Sequence, residues 1–172
     1  MRLIDYIQQG GSIMYILLFL NIVGFAIMLS KALIFNKEKG RTEEIASSLS
    51  ENVKKNHEAS DTNAIIEIAK QEISQYINHI EKGLNTIKII AAISPLLGLL
   101  GTVIGVLIAF KVMSQTGLNN PATFAQGISM ALITTVGGMI VAIPHYVGHS
   151  YLLGMIDNLE SKLEKSILSK VL

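Results

Sequence analysis

The chain has no cysteine in its 172 residues, which excludes disulfide bonds, thiol catalysis and metal sites built on thiolates. Charged residues are also scarce, at 16% of the chain, whereas soluble domains contain about 25%. Half of the residues are hydrophobic, so the composition indicates a membrane protein. The formal net charge of +1 gives no electrostatic basis for binding nucleic acid, and we expect no nucleic-acid partner.

Long stretches without charge are the clearest pattern in the sequence. A helix needs about 20 apolar residues to cross the hydrocarbon core of a bilayer, and three segments meet that requirement: residues 12–35, 89–110 and 127–151. We therefore predict an all-α membrane protein with three transmembrane helices in contact with membrane lipid. The rest of the chain is too short to form a separate enzymatic domain.

Lysine and arginine are concentrated between the first and second predicted spans, in residues 36–88. In contrast, residues 1–11 and the loop 111–126 contain one basic residue each. The positive-inside rule then predicts that the N-terminus and this loop lie on the outer side of the membrane. It also predicts a cytoplasmic helical region at 36–88 and a cytoplasmic C-terminal helix at 152–172.

Apolar residues recur at intervals of three and four in both cytoplasmic segments, which is typical of amphipathic helices. The first pattern meets no proline before the second span and predicts one continuous helix from about Asn63 to Phe110. The second pattern predicts that the third transmembrane helix extends into the cytoplasm. We expect the two apolar faces to pack in a cytoplasmic bundle rather than to lie on the membrane surface. The faces consist of Ile66, Ala69, Ile73, Tyr76, Ile80, Leu84 and Ile87, and of Leu153, Ile156, Leu159, Leu163, Ile167 and Val171.

Capping residues predict where three helices begin. Thr42 is followed by two glutamates, and negative charge in the first turn favours a helix start. Asp61 is a second capping candidate. Asn120 followed by Pro121 fits a cap and a first helical residue, so the third transmembrane helix is expected to begin in the outer loop.

The second and third spans each have a face of small residues, and such faces let helices approach closely in lipid. Thr102 stands near the middle of the second span, and Thr134 and Thr135 lie at a similar depth in the third. Two interpretations are open. The hydroxyls bond carbonyls of their own helices within packing seams, or they line a polar lumen or a partner-binding cavity. The small residues are Gly98, Gly101, Gly105 and Ala109, and Gly127, Ala131, Gly138 and Ala142.

Prolines and histidines stand near the inner ends of these spans. Pro95 and Pro144 each remove an intrahelical hydrogen bond, so we expect a kink at each. His145 and His149 lie one helical turn apart and are candidates for a cytoplasmic proton exit. Two ligands do not make a metal site, and we expect neither a metal nor a cofactor. The sequence shows no phosphate-binding loop and no nucleophile paired with a base, so we do not expect an enzyme.

Two longer motifs resemble a known family. The segment from Ser94 to Phe110, SPLLGLLGTVIGVLIAF, resembles the second membrane helix of the ExbB/TolQ/MotA proton-channel family. The segment from Gly127 to Pro144, GISMALITTVGGMIVAIP, is similar to the third. The size and the three spans resemble ExbB and TolQ more than MotA.

The resemblance implies a homo-oligomeric ring, expected to be a pentamer, in the bacterial inner membrane. An ExbD-like or TolR-like protein would place its single membrane helix in the central pore, and proton flow would energise a TonB-like or TolA-like protein. The resemblance implies that Thr102 and Thr135 line the pore, with Thr134 one position off. Met130 stands where many family members carry a glutamate, and Ser150 stands where they often carry an asparagine.

The second and third spans contain no carboxylate and no lysine or arginine. A proton relay in the membrane needs a titratable group, and hydroxyls cannot store a proton at physiological pH. We therefore expect the partner's helix to supply the titrating acid. The predicted function is an ExbB-like subunit that drives TonB-dependent transport across the outer membrane. A TolQ-like subunit for outer-membrane maintenance and a structural scaffold without proton coupling are the alternatives.

Overall fold

The computed structural model describes residues 3–56, 62–117 and 121–171. Within these ranges the chain is helical and contains no strand. The six helices are α1 Leu3–Gln9, α2 Gly11–Lys39, α3 Thr42–Asn56, α4 Thr62–Glu81, α5 Leu84–Thr116 and α6 Pro121–Val171.

Three of these helices are long and apolar enough to cross a membrane. The candidate spans are Gly11–Lys39, Leu84–Gln115 and Phe124–Lys170, and they contain the three segments identified from the sequence. The prediction of an all-α membrane protein with three transmembrane helices is therefore confirmed. Each helix continues beyond its apolar segment, because the flanking polar residues also have good helix propensity.

The prediction of one continuous helix from Asn63 to Phe110 is wrong. The helix that precedes the second span ends at Glu81, and a new helix begins at Leu84. Gly83 between them has a φ of 95°, a left-handed conformation in which glycine commonly ends helices. The apolar spacing continues across the break, so the spacing alone did not reveal it.

The predicted helix starts are largely matched. The third helix begins at Thr42 with Glu43 and Glu44 in its first turn, and Pro121 is the first residue of α6. The predicted caps Asp61 and Asn120 lie outside the described residues.

The described residues belong to two compact units. The first unit comprises Met1–Ile27 and Thr86–Gly148, and the second comprises Met28–Asn85 and His149–Leu172. The core of the first unit consists of Ile13, Leu17, Ile90 and Val141, which α2, α5 and α6 contribute. Many large apolar side chains of this unit remain exposed, as expected of helices that face lipid or other subunits. They include Phe19, Leu99, Leu107, Leu132, Ile140 and Val147.

The second unit buries the apolar faces predicted for its helices. On α4 the buried residues include Ala69, Ile73 and Ile80. On α6 they are Ile156, Leu159, Leu163 and Ile167, together with Leu152. Leu153, which the spacing placed on this face, is instead 38% exposed, because the buried face begins one residue earlier.

Polar side chains also link the helices of the second unit. The Lys31 ammonium donates to the carbonyl oxygen of Ile80 at 2.9 Å, in the last turn of α4, where carbonyls lack helical partners. The Tyr76 hydroxyl donates to the Glu38 carboxylate at 2.6 Å. Burial, and then the hydrogen bond to Glu38, raise the pKa of Tyr76 above its ordinary value, so this hydroxyl remains a neutral donor.

We expect Gly83→Ala to destabilise the protein by about 1–2 kcal/mol, because alanine resists a left-handed backbone. Gly154→Ala is a matched control. It lies within α6 of the same unit, and among the described residues nothing beyond its own helical backbone lies within 4 Å of an added methyl group, so the substitution should stabilise the helix by about 0.5–1 kcal/mol. Thermal unfolding of the purified protein in detergent, followed by circular dichroism, measures both. Equal changes of the same sign in the unfolding temperatures of both variants would show that the fold does not require a left-handed backbone at Gly83.

Candidate functional site

The site lies in the first unit, where α5 and α6 pack through their small residues. A methyl group at Gly98 would lie 2.9 Å from the carbonyl oxygen of Thr134. One at Gly105 would lie 2.8 Å from the backbone nitrogen of Ala131, and one at Gly127 would lie 2.7 Å from the Cβ atom of Ala109. The backbones of the two helices are therefore in direct contact, which is possible only where side chains are absent or very small.

The remaining small residues extend this seam along both helices. A methyl group at Gly138 would lie 3.1 Å from the Cα atom of Gly98, and Gly101 packs directly against the side chain of Thr134. Ala142 is buried further along α6. The seam therefore runs from Ala109 and Gly127 at one end to Gly138 at the other.

Thr102 and Thr135 meet across this seam, and their hydroxyls are hydrogen-bonded to each other. The Thr102 hydroxyl also lies 3.2 Å from the carbonyl oxygens of Gly98 on its own helix and Ala131 on the opposite helix. The Thr135 hydroxyl lies 3.4 Å from the carbonyl oxygen of Gly98. Each hydroxyl has one hydrogen to donate, so the four contacts must share two donors.

Thr102 and Thr135 have features of both interpretations offered by the sequence. They pack in the seam, and they also present polar groups at its surface. Both side chains are half-buried, so they contribute to the seam and also keep part of their surface accessible. The unused lone pairs of the two hydroxyls can accept further hydrogen bonds from water or from a partner. The pair therefore forms a small polar patch beside the glycine and alanine seam of α5 and α6.

Thr134 occupies a different environment from its neighbour Thr135. Its side chain is fully buried, and its hydroxyl donates to carbonyl oxygens of its own helix, at 2.9 Å to Ala131 and 3.1 Å to Met130. It packs on Gly101 inside the seam. The structure thus separates Thr134, a packing residue with a satisfied hydroxyl, from the Thr102–Thr135 pair.

The prolines lie within continuous helices. Pro95 is inside α5 and Pro144 is inside α6. Each removes the backbone donor that would pair with the carbonyl four residues earlier. Next to Pro95, the buried Ser94 hydroxyl donates to the carbonyl oxygen of Ile90 at 2.6 Å.

The two histidines differ in burial. His145 is fully buried, and its Nδ1 atom bonds the carbonyl oxygen of Val141 at 2.7 Å. Its ring meets the Phe25 ring edge-on, with the centroids 5.0 Å apart, and lies directly on the backbone of α2 at Gly24. His149, one turn later on α6, is half-buried. No group of three or more residues suited to hold a metal ion occurs in the part of the chain that the structure describes.

The model of the MotA/TolQ/ExbB proton channel family matches residues 36–165. The chain belongs to the MotA/TolQ/ExbB proton channel family. The matched region contains Thr102, Thr135 and the small residues of the seam around them, so the site lies within the part of the chain that matches the family.

Several curated relatives carry the name ExbB. A biopolymer transport ExbB homologue of Methanothermobacter thermautotrophicus is 30% identical over 196 residues, covering 94% of this chain and 66% of the relative. ExbB1 of Vibrio cholerae is 41% identical over 86 residues, covering 49% of this chain and 38% of the relative. ExbB of Aquifex aeolicus is 35% identical over 80 residues, covering 46% of this chain and 54% of the relative. The matches therefore span less than two thirds of the length of these relatives.

Two residues of the first unit make contacts that the sequence patterns did not predict. Gly24 receives the ring of His145, and Ser94 supplies a buried hydroxyl beside Pro95. A single glycine or serine in an apolar span is common, so no local pattern distinguishes them. The contact between Gly24 and His145 joins residues that are distant in sequence, whereas Ser94 bonds a carbonyl four residues earlier on its own helix.

We expect Gly105→Ala to destabilise the first unit by about 1–3 kcal/mol, because the added methyl group meets backbone atoms that cannot move independently. Gly137→Ala is the matched control in the same unit. There the methyl group would lie 2.9 Å from the end of the Met14 side chain, which is flexible and can rotate away. Thermal unfolding in detergent should show a clearly larger loss for Gly105→Ala. A larger loss for Gly137→Ala would contradict the role of this backbone contact.

Proposed function

We propose that this chain is an ExbB-like subunit of an energy-transducing complex driven by the proton motive force in the bacterial inner membrane. The observation that carries the proposal is the half-buried hydroxyl pair of Thr102 and Thr135, set in the apolar segments 89–110 and 127–151, which contain no charged side chain. Family membership and the biopolymer-transport names of the relatives support the same function.

The two hydroxyls can form part of a proton path, but they cannot hold a proton themselves. Hydroxyls donate and accept hydrogen bonds, so they can order water in a narrow passage, but they do not ionise at physiological pH. From Val112 to Ile156 the sequence has no Asp, Glu, Lys or Arg, and Met130 provides no acid. The titrating carboxylate is therefore contributed by a single-span, ExbD-like partner.

The assembly consistent with this chemistry is a homo-oligomeric ring, proposed as a pentamer, around the partner's helix. The exposed apolar side chains of α5 and α6 are suited to contact neighbouring subunits and lipid. A proton crossing the membrane releases about 2.3 kcal/mol per 100 mV. That energy would move the partner against the ring and so drive a TonB-like protein that serves the outer membrane.

The orientation follows from the distribution of basic residues. A periplasmic N-terminus places the loop after the second span outside, and it places the basic region 36–88 and the C-terminal helix in the cytoplasm. The chain would then be a multi-pass inner-membrane protein that uses no cofactor and performs no enzymatic reaction. His145 and His149 would lie towards the cytoplasmic side of the path, as expected for a proton exit.

A TolQ-like role, with TolR-like and TolA-like partners, uses the same geometry. The relatives described above carry the ExbB name, which favours the ExbB-like role. Complementation separates the two: we expect the chain with its own partner to restore TonB-dependent uptake in cells lacking ExbB. Restored outer-membrane integrity in cells lacking TolQ, without restored uptake, would support the TolQ-like role instead.

Replacing both hydroxyls tests proton coupling against a purely structural scaffold. Valine preserves the shape of threonine, so Thr102→Val with Thr135→Val should leave the assembly intact. We expect energised uptake to fall at least about tenfold, which corresponds to about 1.4 kcal/mol, the scale of one lost hydrogen bond. Thr134→Val is the matched control, since that hydroxyl bonds its own helix inside the seam, and it should retain uptake. Full uptake in the double variant would favour the scaffold.

Proton flux in reconstituted vesicles tests where the acid comes from. The chain alone should conduct no protons above the background of protein-free vesicles, because its apolar segments 12–35, 89–110 and 127–151 contain no carboxylate. Flux should appear when the partner is added, and it should disappear when the carboxylate in the partner's membrane helix is changed to the amide. Robust flux from the chain alone would contradict a partner-supplied acid.

A further inference from the structure

A groove in the second unit lies between the C-terminal part of α2 and the part of α6 that follows its apolar segment. Its volume is about 190 Å³. Phe35, Tyr151 and Met155 provide apolar surface in the groove, and Lys39 and Lys162 provide two cations. Phe35 and Tyr151 are the last residues of the apolar segments 12–35 and 127–151, so the groove begins where these two segments end.

The groove continues along α6 towards its C-terminus. A second volume of about 490 Å³ is also lined by Lys39 and Lys162, and it adds Lys165. Tyr151, Met155, Lys162 and Lys165 are separated by four, seven and three residues, so they lie on one face of the helix. We call the two connected volumes the basic groove.

The three lysines of the basic groove are available to bind an anion. Their side chains are exposed, and within the described part of the chain no carboxylate forms an ion pair with them. Glu43 also lines the groove, but its carboxylate is bonded by the Lys170 ammonium at 3.1 Å. The groove therefore has an excess of positive charge that its own residues do not neutralise.

The direction of the two helices favours a ligand held at the membrane boundary. Helical side chains tilt towards the N-terminus of their helix, which for Lys39 and Lys162 is the direction of the apolar segments. Lys39 follows Phe35 by four residues, or about 6 Å along the axis. The headgroup region on each side of a bilayer is about 5–8 Å thick. Lys162 lies further along its own helix but lines the same groove.

We propose that the basic groove binds the headgroup of an anionic phospholipid. The ammonium groups of Lys39 and Lys162 bond the phosphate oxygens, and an acyl chain lies against Phe35, Tyr151 and Met155. Basic pockets between membrane helices are suited to such headgroups. The apolar surface favours a lipid over a soluble phosphate, which has no apolar part to place there. The site does not depend on the proposed transport function.

Fluorescence quenching by brominated lipids tests the site in the full chain. The chain has no tryptophan, so Tyr151→Trp provides a single reporter at a side chain that is 71% exposed. The protein is reconstituted in phosphatidylcholine vesicles that contain equal fractions of either brominated phosphatidylglycerol or brominated phosphatidylcholine. We expect the anionic lipid to be preferred at least about fivefold, the scale of one basic residue beside an anionic lipid surface.

Charge variants in the Tyr151→Trp background identify the residues responsible. Lys39→Gln with Lys162→Gln should abolish the preference, because glutamine retains helix propensity but carries no charge. Lys70→Gln with Lys82→Gln is the matched control. These lysines are exposed in the same unit and do not line the groove, so the preference should remain. Lys39→Arg with Lys162→Arg keeps both charges and should also retain it. Circular dichroism confirms that each variant is folded.

Four results would overturn the proposal. Equal quenching by the two lipids before any lysine is changed would mean that the groove does not select an anionic headgroup. An unchanged preference in the Lys39 and Lys162 glutamine variant would exclude these lysines. An equal loss in the Lys70 and Lys82 control would reduce the preference to general electrostatic attraction. Displacement of the lipid by inorganic phosphate, but not by chloride at the same ionic strength, would assign the groove to a soluble phosphate ligand.

Discussion

The direct backbone contact between α5 and α6 is the constraint on which the candidate site depends. At Gly98 and Gly105 the two helices approach so closely that a single methyl group would overlap backbone atoms. Only at this separation can the Thr102 hydroxyl reach the carbonyl oxygen of Ala131 on the other helix. The hydroxyl pair is thus a consequence of the glycines. No hydrophobic effect drives helices together in lipid, so packing and hydrogen bonds of this kind hold them.

The same contact explains how two adjacent threonines acquire different roles. Successive residues on a helix point about 100° apart, so only one of Thr134 and Thr135 can face the seam fully. Thr134 does so and bonds its own helix, whereas Thr135 lies at the edge of the seam and bonds Thr102 across it. A polar group in a membrane helix can therefore be structural or available for function according to its angular position.

The scarcity of charged side chains in the membrane segments connects the Thr102–Thr135 site with the proposed mechanism. A titratable group inside a membrane is costly, and its usual justification is function. Within the apolar segments 12–35, 89–110 and 127–151, this chain has hydroxyls and a buried histidine but no carboxylate. In the proposed mechanism, this subunit provides polar positions and a partner provides the acid. The proposed division explains why a chain of a proton channel family can have uncharged second and third spans.

The sequence by itself determined the class, the number of spans and the family. These properties follow from composition, from the length of the uncharged segments and from the order of two motifs, all of which are local along the chain. The position of the hydroxyls among the small residues singled out Thr102, Thr134 and Thr135, and only the family resemblance distinguished Thr102 and Thr135 from Thr134. In the second unit, the three- and four-residue spacing predicted most of the buried positions on α4 and α6.

Only the tertiary structure decided which of these residues meet. The break at Gly83 depends on a backbone conformation that glycine permits but does not require, so the continuous apolar spacing concealed it. The burial of Thr134 depends on where α5 lies against α6. The contact between His145 and Gly24 joins positions 121 residues apart. Local patterns determine the face of a helix, but the partner of that face is set by packing between distant segments, and hence also the chemical role of each polar group.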